Sequence, residues 1–179
     1  WHRQCGIAPR RLLGFGLSPQ EMVSDGACQF RALAHQIFGD ERHHAVVRQL
    51  AVAHMRRHAA FFGLYFEGCG LESYLSKMSK PTTWGDELTL RAATEAFDCV
   101  AHVITSERSN WYLVYRAEAL TPRVLGAGDQ SGDATDVEVV LSQAGLRRPP
   151  RGKDVILSYV SPIHYNAVAA LGAAADGEA

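Results

Sequence analysis

Two short segments at opposite ends of the chain constrain its fold more than any other feature. Near the start stands Asp25-Gly26-Ala27-Cys28-Gln29-Phe30-Arg31, and far downstream stands His164-Tyr165-Asn166. Downstream of Cys28, the apolar residues Phe30, Leu33, Ala34 and Ile37 recur at i, i+3, i+4 and i+7, which predicts an amphipathic helix of about three turns. Gly39 is its expected C-cap, and Asp25-Gly26 before it is turn chemistry. Cys28 therefore opens a helix, where unpaired N–H groups and the helix dipole favour a thiolate and can bind an oxyanion. A buried half-cystine or an inert core thiol is the plainer reading of such a cysteine.

The second segment supplies what a reactive thiol requires. Residues 154–169 read as two strands, Val155–Val160 and Ile163–Ala169, around a Ser161-Pro162 turn. Alternation places His164, Asn166 and Val168 on one face and Ile163, Tyr165 and Ala167 on the other. An oxygen beside one imidazole nitrogen leaves the other free to take a proton from sulfur. A satisfied strand histidine and an edge asparagine are ordinary taken singly. Beside a helix-initiating cysteine they read together as a cysteine peptidase site.

These residues, with Trp84-Gly85-Asp86-Glu87-Leu88 between them, resemble an ovarian-tumour (OTU) domain deubiquitinase of the plant-type branch. The order and spacing of the three blocks match over roughly Leu17 to Ala169, and Lys77-Met78-Ser79-Lys80 and the Val47-Arg48 region look similar as well. The resemblance implies a papain-like thiol peptidase that cleaves after the terminal Gly-Gly of ubiquitin, with ubiquitin or polyubiquitin chains as partner. It implies Cys28 as nucleophile, His164 as general base and acid, and Asn166 as the residue that orients the imidazole. Asp25 matches the family's acidic position, and its neighbourhood suggests loop shaping and oxyanion support. Where the family usually carries a polar residue such as Asn, this chain has Ala27, which cannot brace the loop through its side chain.

Trp84, Gly85 and Glu87 are the expected substrate-binding residues. By the resemblance, their loop lies along a channel for the narrow Gly-Gly tail, and a flat side chain beside a glycine admits only unbranched residues. A hydrophobic plug at the helix start is the competing reading of Trp84. Asp86 and Glu87 suit the first turn of the helix that continues through Leu88, Leu90, Ala93 and Phe97.

The remaining composition bounds the alternatives. The 179 residues, 47% of them hydrophobic, suffice for one domain with a core, and a net charge of -1 without a dominant basic cluster argues against nucleic acid. No apolar run approaches about 18 residues, so no membrane span is expected. Arg147-Arg148 reads as a solvated loop, and His43-His44 as solvent-facing. Cys5, Cys69 and Cys99 are irregularly spaced, and a working thiol needs a reducing compartment, the cytoplasm or the nucleus. His54 and His58 lie four apart on a helix, yet no Glu follows His54 and no Cys-x-x-Cys occurs, so neither metal nor cofactor is expected.

Helices are expected at about 28–38, 43–60, 71–79 and 86–97, then strands at about 99–105, 111–116, 154–160 and 163–169. Helices before strands predict an α+β fold of the papain-like, OTU type, with helices packed around a mostly antiparallel sheet. The expected divisions are a loose leader at 1–17, a peptidase domain at 18–171 and a small acidic disordered tail at 172–179. A loop insertion is expected at 121–153, with a flexible loop over Gly126–Asp133 and an extra strand over Val137–Leu141. A chain beginning at Trp1 reads as a fragment or trimmed product, acting as a monomer. Two alternatives share the sequence: a peptidase for another Gly-Gly-tailed modifier, and an inactive ubiquitin-binding module.

Overall fold

The first elements of the chain are α1 (Ile7–Gly14), β1 (Leu17–Gln20), α2 (Cys28–Phe38), α3 (His44–Arg57) and the single turn α4 (Ala59–Phe62). They are followed by α5 (Gly70–Met78), α6 (Glu87–Phe97), β2 (Cys99–Thr105), β3 (Tyr112–Arg116), α7 (Gly132–Gln143), β4 (Lys153–Val160) and β5 (His164–Ala170). The structure is a computed structural model and describes residues 7–117, 132–160, 162 and 164–171.

Local sequence accounts for the main boundaries. Gly39 ends α2 at φ 80°, a left-handed position open to glycine, and its N–H returns to the carbonyl of His35. Asp86 caps α6 through a reciprocal box with Thr89, each side chain accepting from the other's backbone N–H.

The five strands form one sheet in the order β1-β5-β4-β2-β3, with β2 and β4 parallel and the other pairings antiparallel. On one face α2, α3 and α6 enclose the main core, where Phe30, Leu33, Met55, Leu90 and Phe97 meet Val155 and Leu157 of β4. On the other face Leu12 of α1 packs with Ile104 and Val168. The α+β expectation of helices around a mostly antiparallel sheet therefore matches the structure.

One polar side chain fixes α2 against the strands. The β4–β5 pairing runs from Val160↔His164 to Leu157↔Ala167, and one step further Gln36 enters the ladder. Its amide oxygen accepts from the Ile156 N–H at 2.9 Å, and its amide nitrogen donates to the Val168 carbonyl at 2.7 Å. A side chain takes the place of a peptide group, so the Cys28 helix is joined directly to the strand that carries His164. Each such bond is worth about 1 kcal/mol net, and far more than its energy is the register it sets.

Three expectations require correction. Residues 7–14 form a helix where a loose leader was expected, because Leu12 has an apolar site on the sheet that exists only once the strands assemble. Val137 to Leu141 lie within α7 and not in an extra strand; Val137 and Leu141, four apart, are both buried on one helical face. His43 and His44 are half-buried, with His43 set edge-on against Phe38. Residues 126–131 of the expected loop, the 172–179 tail, Ser161, Ile163 and Cys5 lie outside the described residues. Among the described residues no helix is long and apolar enough to cross a membrane.

Candidate active site

Cys28 is the first residue of α2 and is nearly buried, 8% exposed. The turn before it is braced without any help from Ala27, whose side chain makes no cap. Asp25 provides the brace: one carboxylate oxygen accepts from the Ala27 N–H at 2.9 Å, and Arg31, one turn into the helix, holds the other at 2.6 Å. That pairing, with the Arg31 hydrogen bond as the largest cause, lowers the Asp25 pKa to about 2. Asp25 thus shapes the loop and does not pair with His164. The Ala27 N–H, being engaged by Asp25, is withdrawn from the set of donors open to an oxyanion.

Gly26 sits at φ 86°, and a Cβ there would lie 2.1 Å from the Thr82 carbonyl oxygen. The 80–83 loop is held at that distance from behind. Arg48, buried and stacked 4.0 Å over the Phe30 ring, donates to the carbonyls of Met78 at 3.1 Å and Pro81 at 2.8 Å.

His164 opens β5 and meets the thiol of Cys28. Burial acts to raise the Cys28 pKa, but hydrogen bonds from His164 and from the backbone of Tyr165 and Gln29, with the imidazole charge, outweigh it and leave the pKa lowered. The His164 pKa is raised, chiefly by its hydrogen bond to Cys28; desolvation opposes this, and the thiolate charge, Asn166 and the Met22 backbone add to it. Both shifts favour the thiolate–imidazolium pair. Asn166 lies on the same side of β5 as His164 and Val168, as alternation predicts, and is buried. Its amide oxygen accepts from the Met22 N–H at 3.0 Å. The hydroxyl of Ser24 lies 3.2 Å from His164 Nδ1, a contact that sequence reasoning missed.

The Trp84 loop reaches the same place. Trp84, Gly85 and Glu87 line a cleft of about 470 Å³ together with Cys28, Tyr115, Tyr159 and Tyr165. Trp84 is 56% exposed, so it is no core plug. Gly85 is required by close approach: a Cβ would lie 2.2 Å from Gln29 Oε1. Gln29, buried beside the nucleophile, donates to the Asp86 carbonyl at 2.9 Å and accepts from the Thr89 hydroxyl at 2.8 Å. The residue after Cys28 therefore fixes the loop that walls the cleft.

A second hollow of about 440 Å³ involves Phe15, His102, Trp111 and Ile156 on the other side of the sheet. Val103 lines the Cys28 cleft while Ile104, the next residue, lines this hollow, and successive strand side chains point to opposite faces. His54 Nε2 meets the buried Glu95 carboxylate at 2.9 Å, and no cluster able to hold a metal occurs among the described residues. Arg148, expected to be solvated, donates to the Ala96 carbonyl at 3.2 Å. Cys28, Cys69 and Cys99 are free thiols.

A thiol at a helix start in contact with an imidazole on a strand is the arrangement of papain-like cysteine proteases. A model of the family described as OTU-like cysteine protease matches residues 23–123, and the chain belongs to that family. Deubiquitinating enzyme 11 of the OVARIAN TUMOR DOMAIN-containing group from Arabidopsis thaliana is 36% identical over 103 residues, 58% of this chain and 42% of that protein. Enzyme 12 of the same group and plant is 32% identical over 104 residues, 58% of this chain and 47% of that protein. The similarity is thus to the plant-type branch, and the chain spans less than half the length of these relatives. Among solved structures, the OTUD1 OTU domain aligns with a TM-score of 0.67 at 18% identity, covering 93% of this chain and 94% of that one. An ovarian-tumour domain solved in complex with ubiquitin aligns at 0.56 with 13% identity, covering 85% and 69%. These likenesses show the fold.

Proposed function

We propose that this chain is a thiol-dependent deubiquitinase that hydrolyses the peptide or isopeptide bond after the C-terminal Gly-Gly of ubiquitin. The observation that carries the reading is the Cys28–His164 pair, with shifts that favour its ionised form, Cys28 lining a cleft walled by Trp84 and Gly85. Family membership and the Arabidopsis relatives support it.

In this reading the Cys28 thiolate attacks the carbonyl carbon of the terminal glycine, and the carbonyl electrons move onto oxygen. Backbone N–H groups at the start of α2 stabilise that oxyanion. As the carbon–nitrogen bond breaks, the His164 imidazolium gives its proton to the departing amine, leaving a thioester on Cys28. Water then attacks the thioester carbonyl while His164 takes its proton; the carbon–sulfur bond breaks, restoring the thiolate–imidazolium pair and releasing a free ubiquitin carboxyl group. Asn166 and the Met22 backbone hold the imidazole, Asp25 and Arg31 hold the loop, and Trp84, Gly85 and Glu87 position the tail. The working unit of the chain runs from α1 to β5, acting as a monomer in the cytoplasm or nucleus.

The test is cleavage of purified diubiquitins of each linkage by wild type and by Cys28→Ala. Wild type releases monoubiquitin, and Cys28→Ala, with an unchanged circular dichroism spectrum, does not. Equal turnover by the mutant overturns the reading. A wild type that binds diubiquitin without cutting it would make the chain a binding module, and cleavage confined to another Gly-Gly-tailed modifier would reassign the substrate.

A further inference from the structure

The segment between β1 and Cys28 also reaches the imidazole. The register of β1 on β5 pairs Leu17 with Ala170 and Gln20 with Ala167. Carried on at the same offset, this register lays Met22 and Ser24 beside the first residues of β5, where His164 stands. Two contacts between side chain and segment are found there: the Asn166 amide oxygen on the Met22 N–H at 3.0 Å, and the Ser24 hydroxyl at 3.2 Å from His164 Nδ1.

The two contacts differ in kind. The Asn166 oxygen is already occupied by a backbone donor in a buried position, so it is anchored as much as it anchors. A serine hydroxyl is both donor and acceptor and rotates to suit its neighbour. It accepts from Nδ1–H when the ring is charged and in the neutral tautomer that leaves Nε2 bare, the two forms a base needs while a proton shuttles at its other nitrogen.

Resting on the deubiquitinase reading, we propose that Ser24 is a positioning residue for His164, holding the ring through Nδ1 and sharing with Asn166 the work of orienting it. One continuous stretch, Met22 to Cys28, then delivers both the nucleophile and half of the support for its base. Movement of that stretch carries the sulfur and the imidazole together.

The groups that bear on the ring are few. Cys28 faces it from α2, and its charge acts on the imidazole. Asp25, next to Ser24, is paired with Arg31. Tyr159 of β4 and Tyr165 of β5 face the sulfur, and burial pushes both hydroxyls upward, so they stay neutral. Loss of the Ser24 acceptor removes support for the charged ring, so the pH window of the ion pair narrows from its alkaline side: the alkaline limb moves down, while the acid limb, across which the ring stays charged, holds its place.

The experiment compares Ser24→Ala, Ser24→Thr, Asn166→Ala and Ser24→Ala/Asn166→Ala with wild type by two readouts. The first is kcat and KM against pH on a ubiquitin substrate. The second is an NMR titration of ring-labelled His164, which needs no turnover. Ser24 is exposed, so its single variants keep the fold, and a melting curve on the variants that change buried Asn166 checks theirs. Ser24→Ala should lower kcat about 5-fold, as loss of one neutral hydrogen bond predicts, at unchanged KM and with the narrowed profile. Ser24→Thr, which keeps the hydroxyl, should restore both. The His164 titration midpoint should fall in Ser24→Ala, and the double variant should lose less than the product of the single losses because both act on one ring. Wild-type kcat, pH profile and His164 titration in Ser24→Ala would overturn the proposal. An inactive wild type whose His164 titration still responds to Ser24→Ala would fail the deubiquitinase reading and leave the Ser24 assignment standing.

Discussion

Gly26→Ala offers a quantitative test of how the nucleophile is held. The substitution has two consequences. At φ 86° an L side chain costs about 1–2 kcal/mol in the left-handed region. Its Cβ would also lie 2.1 Å from the Thr82 oxygen, against an ordinary carbon–oxygen approach of about 3.3 Å, so the two loops must part by about 1 Å. The Thr82 side is fixed by the Arg48 bond to Pro81 at 2.8 Å and by the Thr83 hydroxyl bond to the Lys77 carbonyl at 2.8 Å. The Asp25–Cys28 turn therefore yields, and the sulfur moves relative to His164. Displacement on that scale costs about 100-fold in rate. Strain and overpacking together cost about 2–5 kcal/mol, or roughly 5–15 °C in Tm for a chain of this size.

Gly39→Ala is the matched control. It stands at φ 80° with nothing within 4 Å of a Cβ, so it pays the backbone cost without the collision. Its Tm should fall by about 2–4 °C per kcal/mol of strain, with Cys28 reactivity unchanged. The assay is the rate of covalent labelling by ubiquitin carrying a C-terminal electrophile, with a melting curve on each variant. If Gly26→Ala labels and melts like Gly39→Ala, the Thr82 contact does not place the sulfur.

Further outcomes follow from the same geometry. Trp84→Ala, at a residue 56% exposed, should leave the unfolding free energy within about 0.5 kcal/mol of wild type and leave iodoacetamide alkylation of Cys28 unchanged while slowing ubiquitin labelling; parallel losses with a lower Tm would return Trp84 to a packing role. Asn166→Ala should lower turnover about 10- to 100-fold, and Asn166→Asp should retain more because a carboxylate still accepts from Met22 and the imidazole; equality of both with wild type would refute this in single-turnover kinetics. Alkylation of Cys28 should persist below the ordinary thiol range because its pKa is lowered, whereas buried Cys99, pushed up to about 12, should stay unmodified at neutral pH by mass mapping. Asp25, its pKa lowered to about 2, contributes stability above the ordinary carboxylate range that is lost as pH falls toward 2; Asp25→Asn should flatten that part of the acid melting curve.

The site was legible where local pattern and chemistry coincide. The 3.6-residue spacing after Cys28, closed by Gly39, set α2 at Cys28–Phe38, and strand alternation set Asn166 beside His164. Asp25 was readable as a loop brace from its turn context, although its partner Arg31 was not singled out. What was missed depends on contacts remote in sequence. Nothing in the Arg-rich stretch around Leu12 announces a helix; its apolar site is made by Ile104 and Val168. β1 contains Pro19, which is tolerated because the strand lies at the sheet edge, and that residue hides the strand from a propensity reading. Missing β1 meant missing Ser24, since the β1–β5 register brings Ser24 to His164. Val137, Val139 and Val140 suggest a strand by branching, and burial of Val137 with Leu141 on a helix overrides that preference.

The central claim is that Cys28, activated by His164, attacks the carbonyl after ubiquitin's Gly-Gly. Its most direct test is to incubate the protein with ubiquitin bearing a C-terminal vinyl electrophile and to map the adduct by mass spectrometry after digestion. One ubiquitin per chain is expected, attached at Cys28, lost in Cys28→Ala and strongly slowed in His164→Ala. Attachment at Cys69 or Cys99, or equal labelling of wild type and His164→Ala, would contradict it.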